Sequence, residues 1–194
     1  MLCTFSVTVL NVLLRDIFWS LLNVTCLFSI EDCSGSVHRF EKYHDLPTRG
    51  ARAVEQFRIN GNLFLAFANF YSETEGYKTY SFIYKLNDFE KFYLYQKIRT
   101  IGTRDIEYST IADKHYLAVA SRYNEASHQL NSSIYQWNGH QFVAFQSIPT
   151  NGATSFNFFK YYNWCRFPKH SNKWSNRFLF FLNTTGTVSR RYEL

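Results

Sequence analysis

Two glutamates carry a paired-acid signal. Glu55 lies in "GARAVEQF" and Glu107 in "GTRDIEYS", 52 residues apart in similar surroundings. Two carboxyls within roughly 10 Å of one another can hydrolyse a glycosidic bond, one as acid and the other as base or nucleophile. That chemistry requires the two segments to be equivalent strands of neighbouring sheets. The competing reading is structural: a polar residue on an innermost strand that lines a channel or bonds a neighbouring backbone. The next counterpart along the chain is Asn157, which is not an acid, and this favours the structural reading.

Other chemistry finds little support. The six histidines are His38, His44, His115, His128, His140 and His170, and none pairs with another His, Cys or carboxylate at metal-ligand spacing. The four cysteines, Cys3, Cys26, Cys33 and Cys165, form no C-x-x-C. A Cys33–Cys165 disulfide and buried free thiols both remain open. There is no G-x-S-x-G elbow, phosphate-cradling glycine loop or zincin motif. No catalytic residue, metal or cofactor is expected. Basic and aromatic residues mix in "YYNWCRFPKHSNKW", which could stack bases, but no nucleic-acid fold accompanies it, so no nucleic-acid partner is expected. The net charge of +6 favours acidic partners in general, or is simply a solvated basic face. Three sequons occur, at Asn23, Asn131 and Asn183. Asn131 ends a polar loop, where its side chain can reach solvent, and it and Asn183 are the candidate glycosylation sites; Asn23 lies in an apolar run.

The elements that would position these residues follow from a repeat. Gly50, Gly102 and Gly152 open similar segments, 52 and 50 residues apart. Ile59, Leu65, Ala66, Ala68 and Tyr71 match Ile111, Leu117, Ala118, Ala120 and Tyr123. Ile83-Tyr84 matches Ile134-Tyr135. Phe92, Tyr95, Ile98 and Thr100 match Phe142, Phe145, Ile148 and Thr150, and Phe40, Tyr43, Leu46 and Thr48 repeat the spacing once more upstream. Each full unit divides into four short strands; in the second they are residues 105–111, 115–121, 132–137 and 141–148. Asn138-Gly139 predicts a two-residue hairpin with positive φ at both positions. Tyr116, Ala118 and Ala120 face one way, Leu117 and Val119 the other, and both sets are apolar, as in a sheet held between two neighbours. Four strands per fifty residues, repeated, predicts an all-β fold: a partial β-propeller of four-stranded antiparallel blades with irregular terminal segments. Aromatics at 20 % suit strands, and only residues 5–24 carry any helical stripe. The apolar residues 1–30 are a candidate signal peptide or anchor, interrupted by Arg15-Asp16 into runs too short to span a bilayer.

"GTRDIEYSTIADKHYLAVASRY" and "SIYQWNGHQFVAFQSIPTNGA" resemble the epilepsy-associated repeat (EAR, or epitempin) family, and "GARAVEQF" and "YSFIYKL" resemble it more weakly. Gly50, Gly102, Gly152, Tyr84, Tyr135, Trp137, Phe142 and Phe145 stand at repeat-defining positions; Leu86 and Arg99 depart from the pattern at the Trp and Pro places. The resemblance divides the chain into residues 37–49, the end of one unit; 50–101 and 102–151, two full units; and 152–194, the start of another with a divergent tail. It implies a non-enzymatic, secreted or cell-surface interaction module that binds an extracellular or matrix protein through blade loops. It also implies a disintegrin-metalloprotease-like receptor as the kind of partner. The longest loops, residues 72–79 and 124–131, are the candidate contact surfaces, with Glu73, Glu75, Tyr77, Asn124, Glu125 and His128 on them. About three blades leave apolar faces open, so a fragment of a longer product, self-association through those faces, and capping by irregular ends are the three readings. A glycoside hydrolase using Glu55 and Glu107, and a truncated product without function, are the alternatives to the interaction module.

Overall fold

The computed structural model describes the backbone of residues 6–8, 23–31, 37–162 and 176–182 and the side chains of residues 42–158. The strands are β1 (Ser6–Thr8), β2 (Asn23–Glu31), β3 (Val37–Pro47), β4 (Ala51–Ile59), β5 (Asn62–Asn69), β6 (Tyr80–Leu86) and β7 (Phe92–Arg99). They continue with β8 (Thr103–Ile111), β9 (Lys114–Ser121), β10 (Gln129–Trp137), β11 (Phe142–Asn151), β12 (Phe156–Tyr162) and β13 (Asn176–Leu182). Two sheets are complete four-stranded antiparallel meanders, β4-β5-β6-β7 and β8-β9-β10-β11. A three-stranded sheet, β1-β2-β3, precedes them and a hairpin, β12-β13, follows. This is a segment of an all-β propeller.

Stacked sheets need apolar residues on both faces, and the second strand of each blade supplies them. In β5, Ala66 and Ala68 point into the layer between the two full blades, where they join Phe57, Phe64, Ile83 and Ile98. The second blade adds Ile106, Leu117, Val119 and Phe142 to that layer. Leu65 and Phe67 point the other way, towards Leu46 of β3. One blade later the alternation repeats: Tyr116, Ala118 and Ala120 meet Ala153 and Phe156 at the start of the next unit. Small alanines at the crossing let the sheets approach closely.

The turns differ from the sequence expectation. Asn138-Gly139 does not form a two-residue hairpin: Trp137 pairs with Phe142 across a four-residue loop, and only Gly139 of the two has positive φ. Asn138 Oδ1 accepts from the amides of His140 (3.0 Å) and Gln141 (2.9 Å), which winds the longer loop around the side chain. The two-residue turns with both central φ values positive lie at Asn60-Gly61 and Ala112-Asp113, joining the first two strands of each blade. The strand Asn23–Glu31 pairs antiparallel with β3, so the first sheet reaches back into the candidate signal segment, ahead of residues 37–49, which the sequence reads as the end of one unit. The helical stripe of residues 5–24 is likewise strand wherever it is described. Cys3, Cys33, Cys165, His170 and Asn183 lie outside the described residues.

Candidate functional site

Successive blades are joined by four devices, two of which recur at equivalent repeat positions. The first is the glycine that opens a unit. Gly102 has φ 48° and donates to the Tyr77 carbonyl of the preceding blade (2.8 Å), while its own carbonyl accepts from Arg122 (2.9 Å). A Cβ there would stand 1.9 Å from the Tyr123 carbonyl oxygen, so close backbone approach as well as φ demands glycine. Gly152 repeats the bond, donating to the His128 carbonyl at 2.7 Å.

The second device is the repeat tyrosine. Tyr84 donates its hydroxyl to the Pro47 carbonyl (2.6 Å), and Tyr135 donates to the Arg99 carbonyl (3.4 Å). Pro47 and Arg99 are equivalent, so the Pro-to-Arg departure at position 99 keeps the acceptor, which is a backbone oxygen. Within each blade a buried serine–threonine pair also recurs, Ser81 with Thr100 and Ser132 with Thr150, both at 3.0 Å.

The third device is a glutamine on the outer strand. The Gln96 amide donates to the Phe142 carbonyl (2.8 Å) and accepts from the Phe142 amide (2.9 Å), gripping the next blade's outer strand. Tyr95 beside it stacks on Trp137 with centroids 6.1 Å apart and donates to the His140 carbonyl.

The fourth device is the inner-strand acid. Glu55 Oε1 accepts from the Tyr108 amide at 3.3 Å, and Asp105 Oδ2 accepts from the Phe156 amide at 3.1 Å. Each acid therefore satisfies a backbone donor on the neighbouring inner strand, which no strand ladder reaches. Burial, then the charges of Glu107 and Asp105, push Glu55 up to about 7, while the Tyr108 bond opposes the shift. Burial first, then Asp105, raises Glu107; burial also raises Asp105 against the bonds from Phe156 and Ile106. Asp105 is the site residue that sequence reading misses. Its counterpart in the first blade is Ala53, so the repeat conceals it; its alternation with Glu107 along one strand is the signal that could reveal it.

The long loops meet at one end of the blades. Tyr77 packs edge-on against Tyr123 of the next blade with centroids 5.1 Å apart, and also against Phe70 and Tyr71. Gly76 lies beside Glu125 Oε1. Tyr77 and His128 are thus half engaged in holding the blades, through their carbonyls and rings. The His128 ring lies 4.8 Å from Tyr123. Asn124 Oδ1 accepts from Ala126 (3.2 Å) and Ser127 (2.8 Å), shaping its loop. Glu75 is paired with Arg49, whereas Glu73 and Glu125 are exposed. The rim carries exposed charge of both signs, since Lys78 is exposed in the same loop as Glu73.

Among the remaining sequence-identified positions, Asn131 is exposed on β10. Phe142 is buried and Trp137 partly buried in the layer between the full blades. Phe145 differs from both: it is 48 % exposed and touches Tyr116 edge-on, and among the described residues no aromatic of the following unit stacks on it as Trp137 stacks on Tyr95. Among the described residues, no group of three or more His, Cys, Asp or Glu could hold a metal, and no helix is long and apolar enough to cross a membrane.

Known proteins share this repeat. A family model described as the EPTP domain matches residues 39–87 and 91–138. Each match begins on the outer strand of one sheet and runs through the first three strands of the next, so the family unit is phased one strand ahead of the blade. The human thrombospondin-type laminin G domain and EAR repeat-containing protein is 39 % identical over 124 residues, 62 % of this chain and 18 % of its own length. The mouse protein of the same name is 37 % identical over 124 residues, with the same coverage. The chain thus spans less than a fifth of the length of the curated relatives it matches.

Proposed function

The chain belongs to the EPTP domain family, and on that premise we propose that it is a non-enzymatic, extracellular protein-interaction module that binds a cell-surface or matrix protein through its loop rim. The observation that carries this reading is the junction of Tyr77 with Tyr123, which sets the two long loops side by side, with Glu73 exposed on one and Glu125 on the other. Exposed acids on the rim suit a basic group on a partner, and rim charge acts mainly on the rate of association. A disintegrin-metalloprotease-like ectodomain is the kind of partner to try first. Secretion would leave Asn131 accessible to glycosylation.

Binding of the labelled full chain to intact cells tests the proposal. The double variant Glu73→Lys/Glu125→Lys is expected to weaken saturable binding at least about tenfold, by reversing two rim charges. No binding to any cell type, or binding that the variant leaves unchanged, would count against it.

A second reading, glycoside hydrolysis, draws support from Glu55, whose carboxyl is held near 7 as a general acid's would be. Against it, that same oxygen is occupied by the Tyr108 amide. Turnover of aryl glycosides that vanishes in Glu55→Gln would establish the enzyme and displace the first reading.

A further inference from the structure

Two outer loops of the full blades are built on one frame. Residues 87–91 join β6 to β7, and residues 138–141 join β10 to β11. Each loop opens on an asparagine whose side chain curls back over it. Asn87 Oδ1 accepts from the amides of Phe89 (3.0 Å) and Lys91 (2.8 Å). Asn138 Oδ1 accepts from the amides of His140 (3.0 Å) and Gln141 (2.9 Å). Each asparagine's own backbone amide closes its loop, on the Lys91 carbonyl in one and the Gln141 carbonyl in the other, both at 3.0 Å. The frames differ in the residue that follows the asparagine: Asp88 in the first, Gly139 in the second.

That difference is chemical. The side-chain amide of an asparagine can be attacked by the backbone nitrogen of the next residue, closing a succinimide ring. Glycine favours the attack, because no Cβ obstructs the nitrogen's approach. The second loop is arranged for it. Negative charge develops on Oδ1 as the nitrogen adds to Cγ, and two backbone amides already stand on that oxygen. Among the described residues no hydrogen bond holds Asn138 Nδ2, the atom that must leave. Gly139 has φ 101°, and a Cβ built on it would meet nothing within 4 Å, so the space for a ring is open. Asn138 and Gly139 are both exposed, so water reaches them.

The chain has two more Asn-Gly pairs, and neither combines these features. In Asn151-Gly152 the glycine nitrogen donates to the His128 carbonyl at 2.7 Å, so the nucleophile is tied. In Asn60-Gly61 the side-chain bonds of the turn run from Arg58 and Asn62 to backbone carbonyls, and none holds the Asn60 side chain among the described residues.

We propose that Asn138 is a site of spontaneous covalent modification, where the Gly139 nitrogen displaces the side-chain amide and the residue becomes aspartate or isoaspartate. A bond forms from the Gly139 nitrogen to Asn138 Cγ, and the Cγ–Nδ2 bond breaks. The proton of the Gly139 amide leaves with Nδ2 as ammonia. Solvent water then opens the ring. Opening at the backbone carbonyl carbon leaves the main chain running through Cγ, which is isoaspartate; opening at Cγ leaves aspartate. Either product adds one negative charge, and isoaspartate also lengthens the loop by one methylene. That methylene enters between Trp137 and His140, whose carbonyl holds the Tyr95 hydroxyl of the first blade. Modification therefore loosens the clasp between the outer strands. It does not reverse by itself, so the modified fraction records the age of the molecule.

The test is peptide mapping by mass spectrometry of the full chain, incubated at neutral pH and body temperature. Asn138 is expected to convert at least about tenfold faster than Asn87, which has the same frame without the glycine, and faster than Asn60 and Asn151. An isoaspartyl methyltransferase should label the peptide that contains residue 138. In the chain held unfolded in urea the three Asn-Gly pairs should convert at similar rates, because only the folded structure distinguishes them. The aged fraction, separated by its added negative charge, should melt below the fresh one. An Asn138 that keeps its amide while Asn60 or Asn151 converts, or an unchanged order of rates in urea, would overturn the proposal. An aged fraction that melts with the fresh one would overturn the loosening of the clasp.

Discussion

Gln96 and Gln146 occupy the same place in successive outer strands, yet they meet different surroundings. The Gln96 amide closes two hydrogen bonds on the backbone of Phe142, while the Gln146 oxygen is buried with no partner. Tyr95 and Phe145 repeat the contrast, one stacked beneath Trp137 and the other half exposed. The difference teaches that a blade's outer half is stabilised chiefly by its successor. A repeat residue is therefore not a scaffold residue by its identity; its role depends on what the neighbouring blade presents to it.

Breaking the completed junction should cost most. Gly102→Ala brings a Cβ to 1.9 Å from a backbone oxygen at positive φ, and it should destabilise the chain by about 3 kcal/mol or more. Gly152→Ala, whose Cβ would meet the His128 ring at 3.3 Å, should cost about 1 kcal/mol, mostly from φ. Urea unfolding of both variants reads the contrast directly; equal losses would deny it.

The glutamines sharpen the comparison next. Gln96→Leu strands the amide and carbonyl of Phe142 and should cost about 2 kcal/mol. Gln146→Leu should cost nothing or stabilise slightly, since it removes a buried oxygen without a partner. Thermal melts in which the two variants lose equally would mean that Gln146 is satisfied after all.

The tyrosines come third. Tyr84→Phe removes a 2.6 Å bond between blades and should lower stability by about 1 kcal/mol. Tyr135→Phe, with a 3.4 Å contact, should change it by less than about half of that. Denaturant midpoints of the pair decide whether bond length predicts the order.

The smallest effect is that of pH on the inner strands. Glu55 titrates near 7 in the folded chain against an ordinary value of 4.5, so folding favours its protonated form. That contribution is fully present below about 4.5 and is lost as pH rises through about 7. The raised Asp105 and Glu107 act in the same direction. The melting temperature should therefore fall from about pH 5 to about pH 8, and Glu55→Gln should flatten much of that slope. A wild-type profile that rises over the same interval would contradict the burial of Glu55.

Much of this was legible in the sequence because strand alternation has period two. Tyr116, Ala118 and Ala120 against Leu117 and Val119 predicts which side of β9 meets which neighbour, and the layers follow that division. Turn geometry was less legible. Asn138-Gly139 has the composition of a two-residue hairpin, but the Asn138 side chain bonds two amides and Tyr95 of the other blade holds the His140 carbonyl, which favours the longer loop. The roles of Gln96 and Asp105 were hidden because each depends on a backbone group about fifty residues away. Net charge says nothing of the rim, where Glu73, Lys78 and Glu125 are all exposed.

The central claim is that function lies in the loop rim and not in the inner-strand acids. Cell binding and aryl-glycoside turnover of Glu55→Gln/Glu107→Gln, beside those of Glu73→Lys/Glu125→Lys, test it in a single experiment. The account predicts full binding and no turnover from the first variant, and binding weakened at least about tenfold in the second. Binding lost with the inner acids and kept without the rim charges would contradict it.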